Sequence, residues 1–239
     1  MRRTLLILGL GFAACGGTET PAPNNAGAAA LTETEKERPE EAEIDDGLEV
    51  EGLAGFLSPE QIRAGMDPVD PKITRCHKAA AKAKPYLQGK VALWVSVSRD
   101  GKVGEVRITE SNAGYSELED CITAEVLNAS FDAPKGGEAT FSYPLNFKSR
   151  KAIPLKEWAE NDLAKVARKR NDDHQSCSGS STDVHATFWV GKRGKVESVG
   201  LSSSTSTLPT TWRTCAVAAL KEWRFVDPRG SMARITISL

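Results

Sequence analysis

The stretch VALWVSVSRDGKVGEVRI at residues 91–108 has a similar counterpart, VHATFWVGKRGKVESVGL, at residues 184–201. In both stretches apolar residues recur at every second position on either side of a Gly-Lys-Val turn, which is the pattern of a hairpin with one buried face. Gly101 and Gly194 fall at the same place in the turn, where glycine accepts a positive φ without steric cost. The stretch therefore predicts one structural unit that occurs twice.

The similarity extends well beyond the hairpin. With one inserted residue Cys121 aligns with Cys215, and the positions that follow keep the same residue types: Phe131 with Phe225, Pro134 with Pro228, Gly136 with Gly230, and Phe141, Tyr143 and Leu145 with Ile235, Ile237 and Leu239. We therefore predict an α+β fold of two tandem modules, residues 56–147 and 148–239. Each module is expected to run helix, strand, strand, helix, strand around a three-stranded antiparallel sheet.

Helix signals fill in the remaining elements of each module. Asp70 before Pro71 predicts a helix start in the first module, and Ser116 with Glu119 matches a capping box for its second helix. In the second module the stripe of Leu155, Trp158, Leu163 and Val166 predicts a helix from Pro154. Trp94 and Trp189 fall on the outward faces of their strands in this register.

Four cysteines besides Cys15 divide evenly between the modules, and four cysteines allow three pairings. Duplication preserves a bond within the unit, so the repeat selects Cys76 with Cys121 and Cys177 with Cys215. A disulfide that closes a loop of this size stabilises its module by about 4 kcal/mol in the chain-entropy model. The alternative is a redox-active dithiol, but no Cys-x-x-Cys is present to lower a thiol pKa.

The first residues have the pattern of a targeting signal. Arg2 and Arg3 precede an apolar run at residues 5–12 that is too short to span a bilayer of about 30 Å, so it reads as a signal peptide. Small residues followed by Cys15 resemble the lipobox of bacterial lipoproteins, in which the chain is cut before the cysteine and the thiol is diacylated. Residues 1–14 would then be removed. An aspartate directly after the cysteine resembles a signal for retention in the inner membrane. This chain has Gly16 there, so we expect anchoring in the outer membrane at its periplasmic face.

Charge is distributed unevenly along the chain. The total is −1, from 31 basic and 32 acidic residues, which does not favour nucleic-acid binding. Residues 15–55 lack apolar periodicity and predict an acidic, disordered tether. Basic residues concentrate at 72–90 and 148–170, where they form either solvated helix faces or contacts to lipopolysaccharide, anionic lipid or the tether.

The order of these elements resembles a known family. A cysteine helix, a G-K-V hairpin, a second cysteine helix and then FDAPKGG at residues 131–137 and FSYP at residues 141–144 are similar to the AgmX/PglI C-terminal domain, which is related to the TonB C-terminal domain. The family is associated with gliding-motility proteins. The resemblance implies a periplasmic protein-interaction module.

Signs of catalysis or metal binding are weak in the sequence. Three histidines are scattered over both copies, without a spacing that closes a tetrahedral metal site, and we predict no metal and no cofactor. We therefore expect a non-enzymatic outer-membrane lipoprotein of an envelope or gliding-motility assembly. The alternatives are a peptidoglycan or polysaccharide binder and a secreted enzyme or redox protein on the same scaffold.

A binding edge is implied by the same resemblance. TonB-like domains receive an extended peptide by strand addition, which uses the unpaired N–H and C=O groups of an edge strand. The candidates are the last strands of the copies, at residues 139–145 and 233–239. The second copy ends at Leu239 without a covering tail, so we expect its last strand to bind envelope proteins, through Ala233, Ile235, Ile237 and Leu239.

Overall fold

The first copy is built on the quoted hairpin, joined by a third strand. In the computed structural model, which describes residues 55–179 and 182–239, β1 (Gly89–Val97), β2 (Val103–Ser111) and β3 (Ala139–Phe147) form an antiparallel sheet in the order β2-β1-β3. Gly101 at the turn has a φ of +78°. A Cβ atom there would collide with the backbone oxygen of Phe131, so the turn requires glycine twice over.

Three helices supply the other half of the first core. They are α1 (Pro59–Met66), α2 (Asp70–Ala83) and α3 (Ser116–Leu127). Their apolar faces pack on the inward row of β1, and the core includes Met66, Ile73, Cys76, Leu118 and Ile122 from the helices and Val91, Leu93, Val95 and Val97 from the strand. Among the described residues no helix is long and apolar enough to cross a membrane.

Two predicted helix starts differ from the structure. The N-cap of α2 is Val69 rather than Asp70, and the Asp70 carboxylate accepts the hydroxyl of Tyr143 instead of capping the helix. The capping box at the start of α3 does not form, since its N-cap is Tyr115 without a side-chain bond. Glu119 is drawn away to bind groups of the second copy, as described below.

The second copy repeats the strand order and adds to it. Strands β6 (Val184–Val190), β7 (Val196–Ser203) and β9 (Met232–Ser238) are arranged as β7-β6-β9, and β4 (Leu155–Trp158) extends the sheet on the outer side of β9. The short strands β5 (Ala167–Lys169) and β8 (Arg224–Phe225) pair separately. The α+β class is therefore correct, but the second sheet has four strands rather than three.

The extra strand replaces the helix that was predicted from Pro154. The prediction of a helix from Pro154 is wrong. Leu155–Trp158 pairs in parallel with Met232–Ile235, and helical structure begins only at a 3-10 turn, Glu160–Asp162, that leads into α4 (Leu163–Val166). The apolar stripe is still used, because Trp158 packs on the core and stacks on Phe225 with ring centroids 6.2 Å apart. A strand satisfies this stripe as well as a helix when an edge strand offers it backbone partners.

The core of the second copy lies between its sheet and α5 (Thr210–Lys221). Aromatic rings dominate it, since Phe188 stacks on Trp223 at 5.2 Å and packs against Phe225 at 5.4 Å between ring centroids. Helix α5 aligns with α3 in the repeat and contributes Trp212, Ala216, Val217 and Leu220.

Candidate interaction site

Both disulfides form within their own copies, as the repeat predicts. Cys76 of α2 bonds to Cys121 of α3, and Cys177 bonds to Cys215 of α5. Each bond fastens a helix to a neighbouring segment of the same module, across 45 and 38 residues of sequence. The predicted lipidation site, Cys15, lies outside the described residues. Within the described ranges no group of three or more His, Cys, Asp or Glu side chains could hold a metal ion.

The last strand of the second copy is not an open edge, which corrects the expectation drawn from the sequence. Strand β9 pairs with β6 on one side and with β4 on the other, through Met232–Ile235. The side chains of Ala233, Ile235 and Ile237 are buried in the core. Past the end of β4, the Ser238 N–H donates to the Glu160 carboxylate. On the other side of the strand, the Leu239 N–H donates to the backbone oxygen of Val184 in β6. The covering strand comes from the start of the second copy itself, Leu155–Trp158, which was predicted to be helical.

The last strand of the first copy keeps its outer side open among the described residues. Strand β3 pairs with β1 along its whole length, and its other side forms only a single bridge, from Gly55 to Ala139. The backbone oxygen of Glu138 accepts the Gly55 N–H on that outer side. Because pairing directions alternate along a strand, the backbone groups of Thr140, Ser142 and Asn146 point the same way.

Pro144 interrupts this outward row. It pairs in regular register with Ala92 of β1, and proline fits a ladder only where its missing N–H would have pointed away from the neighbouring strand. The open side of β3 therefore presents donors at Thr140, Ser142 and Asn146 but lacks one at Pro144. Proline on an edge strand limits indiscriminate pairing, so the donors before and after it are the ones left for a partner.

A groove of about 470 Å³ runs beside this edge, between β3 and α2. Cavities of this size hold small ligands or a few side chains. Its walls come from the side of α2 next to the core stripe and from the last half of β3: Asp70, Ile73, Thr74, His77, and residues 143–148. An extended segment laid along β3 would direct alternate side chains into this groove.

His77 forms part of the groove wall. Its ring stacks on Phe147 with centroids 4.8 Å apart. Its Nε2 atom is buried and has no hydrogen-bond partner among the described residues. Burial lowers the pKa of His77, opposed by a hydrogen bond with the Leu87 backbone, which favours the neutral imidazole.

The two ends of the groove carry opposite charge. At one end the Tyr143 hydroxyl donates to Asp70 at 3.2 Å, and the pKa of Tyr143 is raised by burial and by the Asp70 charge. At the other end Lys148 lines the groove, and Lys78 lies one helical turn after Thr74 on the same side of α2. Both lysines are exposed, and neither forms an ion pair with another described residue.

The opposite edge of the first sheet is covered by the second copy. There the Glu119 side chain is wholly buried. Its carboxylate accepts the Ser111 hydroxyl at 2.7 Å, the Leu201 N–H at 3.0 Å and the Arg213 guanidinium at 3.0 Å. Burial raises the pKa of Glu119, and the Arg213 charge opposes that rise. Glu119 and Arg213 occupy equivalent positions of the repeat, so the two copies meet through the same part of each module.

Trp189 completes this contact. Its side chain lies on the outward face of the second sheet and is wholly buried by the first copy, with Nε1 donating to the Ala113 backbone oxygen at 2.7 Å. Arg234 lies 5.2 Å from the centre of the Trp189 ring and donates to the backbone oxygens of Gln88 and Asn112. The outward tryptophan predicted from sequence thus fixes one copy to the other.

Sequence reasoning missed the groove and this contact, although signs of both were present. Asp70, Thr74 and His77 form a second stripe along α2 beside its core stripe, and Glu119 aligns with its own ion-pair partner in the repeat. Comparisons of the chain with protein-family models, with curated proteins and with solved structures found no match.

Proposed function

We propose that the chain is a non-enzymatic outer-membrane lipoprotein, anchored through Cys15 at the periplasmic face, that binds other envelope proteins. Its two copies would be tandem modules of the AgmX/PglI C-terminal type, which the sequence resembles, serving an envelope or gliding-motility assembly. The observation that carries the proposal is the open outer side of β3 beside a groove. A partner segment adding to this edge gains backbone hydrogen bonds and places alternate side chains against α2.

The alternative of a polysaccharide binder finds less support at the outward aromatic of the first sheet. Sugar rings stack on an aromatic face that is open to solvent, as part of the aromatic lining common to ligand sites. The guanidinium of Arg107 lies 3.8 Å from the centre of the Trp94 ring and occupies one of its faces. Arg107 is itself held by the backbone oxygen of Thr205 at 2.7 Å, so uncovering that face would break a contact between the copies.

The test compares two substitutions at Ser142, whose backbone donor points to the open side of β3. Ser142→Pro removes this donor, whereas Ser142→Ala keeps it and serves as the matched control. We expect affinity capture from an envelope extract to lose its partners with the proline variant alone. In the wild type, amide exchange at Thr140 and Ser142 should slow when the partner binds. Unchanged capture by a folded Ser142→Pro variant would show that partners do not use this edge.

A further inference from the structure

The groove beside β3 has features that select a particular kind of segment. Its middle is apolar, with Ile73, Leu145 and the stacked rings of His77 and Phe147 in the walls. A strand that pairs with β3 points every second side chain to this side of the sheet. One large apolar side chain of the partner would therefore enter the middle of the groove.

The charges at the ends of the groove select the partner side chain that lies next to the apolar one. Lys148 lines the Phe147 end of the groove, and Lys78 follows Thr74 by one helical turn on the same side of α2. Both lysines are exposed and unpaired among the described residues. The carboxylate at the far end, Asp70, is already engaged by the Tyr143 hydroxyl. An acidic side chain at the lysine end would find opposite charge, whereas a basic one would meet repulsion.

We propose that the groove between α2 and β3 binds an extended segment of a partner protein in which an acidic and a large apolar side chain stand two positions apart. The apolar side chain enters between Ile73 and Leu145, and the carboxylate lies beside Lys148 and Lys78. Pro144, which also lines the groove, leaves the open side of β3 without one backbone donor there. Side-chain contacts in the groove therefore contribute more of the selectivity than they would along an uninterrupted edge. This inference rests on the proposed function, and it names the partner's chemistry.

The probe is a short labelled peptide of serine and threonine with one phenylalanine and one glutamate two positions apart. It is made in both orders, because the partner strand can run parallel or antiparallel to β3. Fluorescence anisotropy with the mature full chain should show binding of at least one order. Replacing the glutamate with lysine should abolish it. Salt should weaken the binding, as expected for exposed charges.

Variants of the protein locate the binding. Lys78→Glu and Lys148→Glu should each weaken it by roughly two- to fivefold, the range for one exposed charge pair. Lys192→Glu makes the same charge change at an exposed position of the other copy and should have no effect. Ser142→Pro should abolish binding. Circular dichroism verifies that each variant is folded.

The outcomes separate this inference from the proposed function. If Ser142→Pro abolishes binding but the lysine variants match Lys192→Glu, the edge is used without the charge selection, and the inference is wrong. If Ser142→Pro leaves the measured affinity unchanged, the peptide binds elsewhere and both ideas fail for this edge. If neither order of the peptide binds the wild type, the stated chemistry is wrong, while the capture experiment still tests the function.

Discussion

Removing the Glu119 carboxylate should loosen the contact between the two copies. The carboxylate has no exposed surface and binds three donors, from Ser111, Leu201 and Arg213. Two of these donors belong to the second copy. Glu119→Ala leaves a cavity and deprives all three donors of their acceptor.

The expected loss of unfolding free energy depends on which acceptors remain for each donor after the carboxylate is removed. Arg213 keeps the Asp120 carboxylate and the Ser116 backbone oxygen, so its charge is not stranded. The Leu201 N–H loses its acceptor in a buried position, and an unsatisfied buried donor costs about 1–3 kcal/mol. Breaking one side of a buried ion pair costs about 3–5 kcal/mol. Because Arg213 retains partners, we expect the lower end, about 3 kcal/mol.

The assay is urea unfolding followed by tryptophan fluorescence and circular dichroism. The matched control is Glu117→Ala, because Glu117 also pairs across the copies, with Lys221 at 3.5 Å, but both side chains are substantially exposed. Exposed pairs contribute about 0–1 kcal/mol. A Glu119→Ala variant that loses less than 1 kcal/mol, or no more than Glu117→Ala, would refute the reasoning. A double-mutant cycle with Arg213→Met should show coupling between Glu119 and Arg213.

The same carboxylate gives a pH dependence with a defined sign. Burial raises the pKa of Glu119 in the folded state, so the native chain takes up this proton at a higher pH than the unfolded chain does. Stability from this group therefore rises as pH falls from above the folded pKa toward the unfolded value. Glu119→Gln lacks the titration. The wild type should gain stability relative to this variant on acidification, and an unchanged difference would contradict the shift.

Three further predictions concern other parts of the chain. Replacing Cys177 and Cys215 together with alanine opens a loop of 38 residues and should lower the unfolding free energy by about 4 kcal/mol in the chain-entropy model, as urea titration would show; a loss below 1 kcal/mol would contradict it. Pro144→Ala should restore a donor on the open side of β3 and tighten binding of the acidic peptide by roughly two- to tenfold, whereas unchanged or weaker binding would indicate that this donor faces elsewhere. Cys15→Ser should abolish metabolic labelling with a palmitate analogue, and labelling that persists would exclude acylation at Cys15.

The strands and disulfides were predictable from sequence because their signals are local or repeated. Alternating apolar residues fix the inward faces of β1 and β6, and Gly101 fixes the turn between β1 and β2. The cysteine pairs followed because duplication carries a bond with the unit that contains it. None of these predictions required knowledge of what lies on the outward face of a sheet.

The predictions failed where a segment had a choice of partners. The stripe at Leu155 and Trp158 suits one face of a helix, but the edge of β9 offered it backbone hydrogen bonds and it became a strand. Ser116 and Glu119 have the spacing of a capping box, but Arg213 and Leu201 compete for the carboxylate. In both cases the deciding group comes from a distant part of the chain, which periodicity and spacing do not reveal.

The difference between the copies also gives a physical reason to expect partner strands at the first copy rather than the second. A segment adding to β9 along Met232–Ile235 must first displace β4, which pairs with it through four residues. It would also remove Trp158 from its stacking on Phe225. Among residues 55–179 and 182–239, addition to β3 displaces only the single bridge at Gly55. A strand on β3 forgoes one donor at Pro144, which is less than the four-residue pairing and the Trp158 stacking lost at β9, so we expect β3 to accept a further strand more readily.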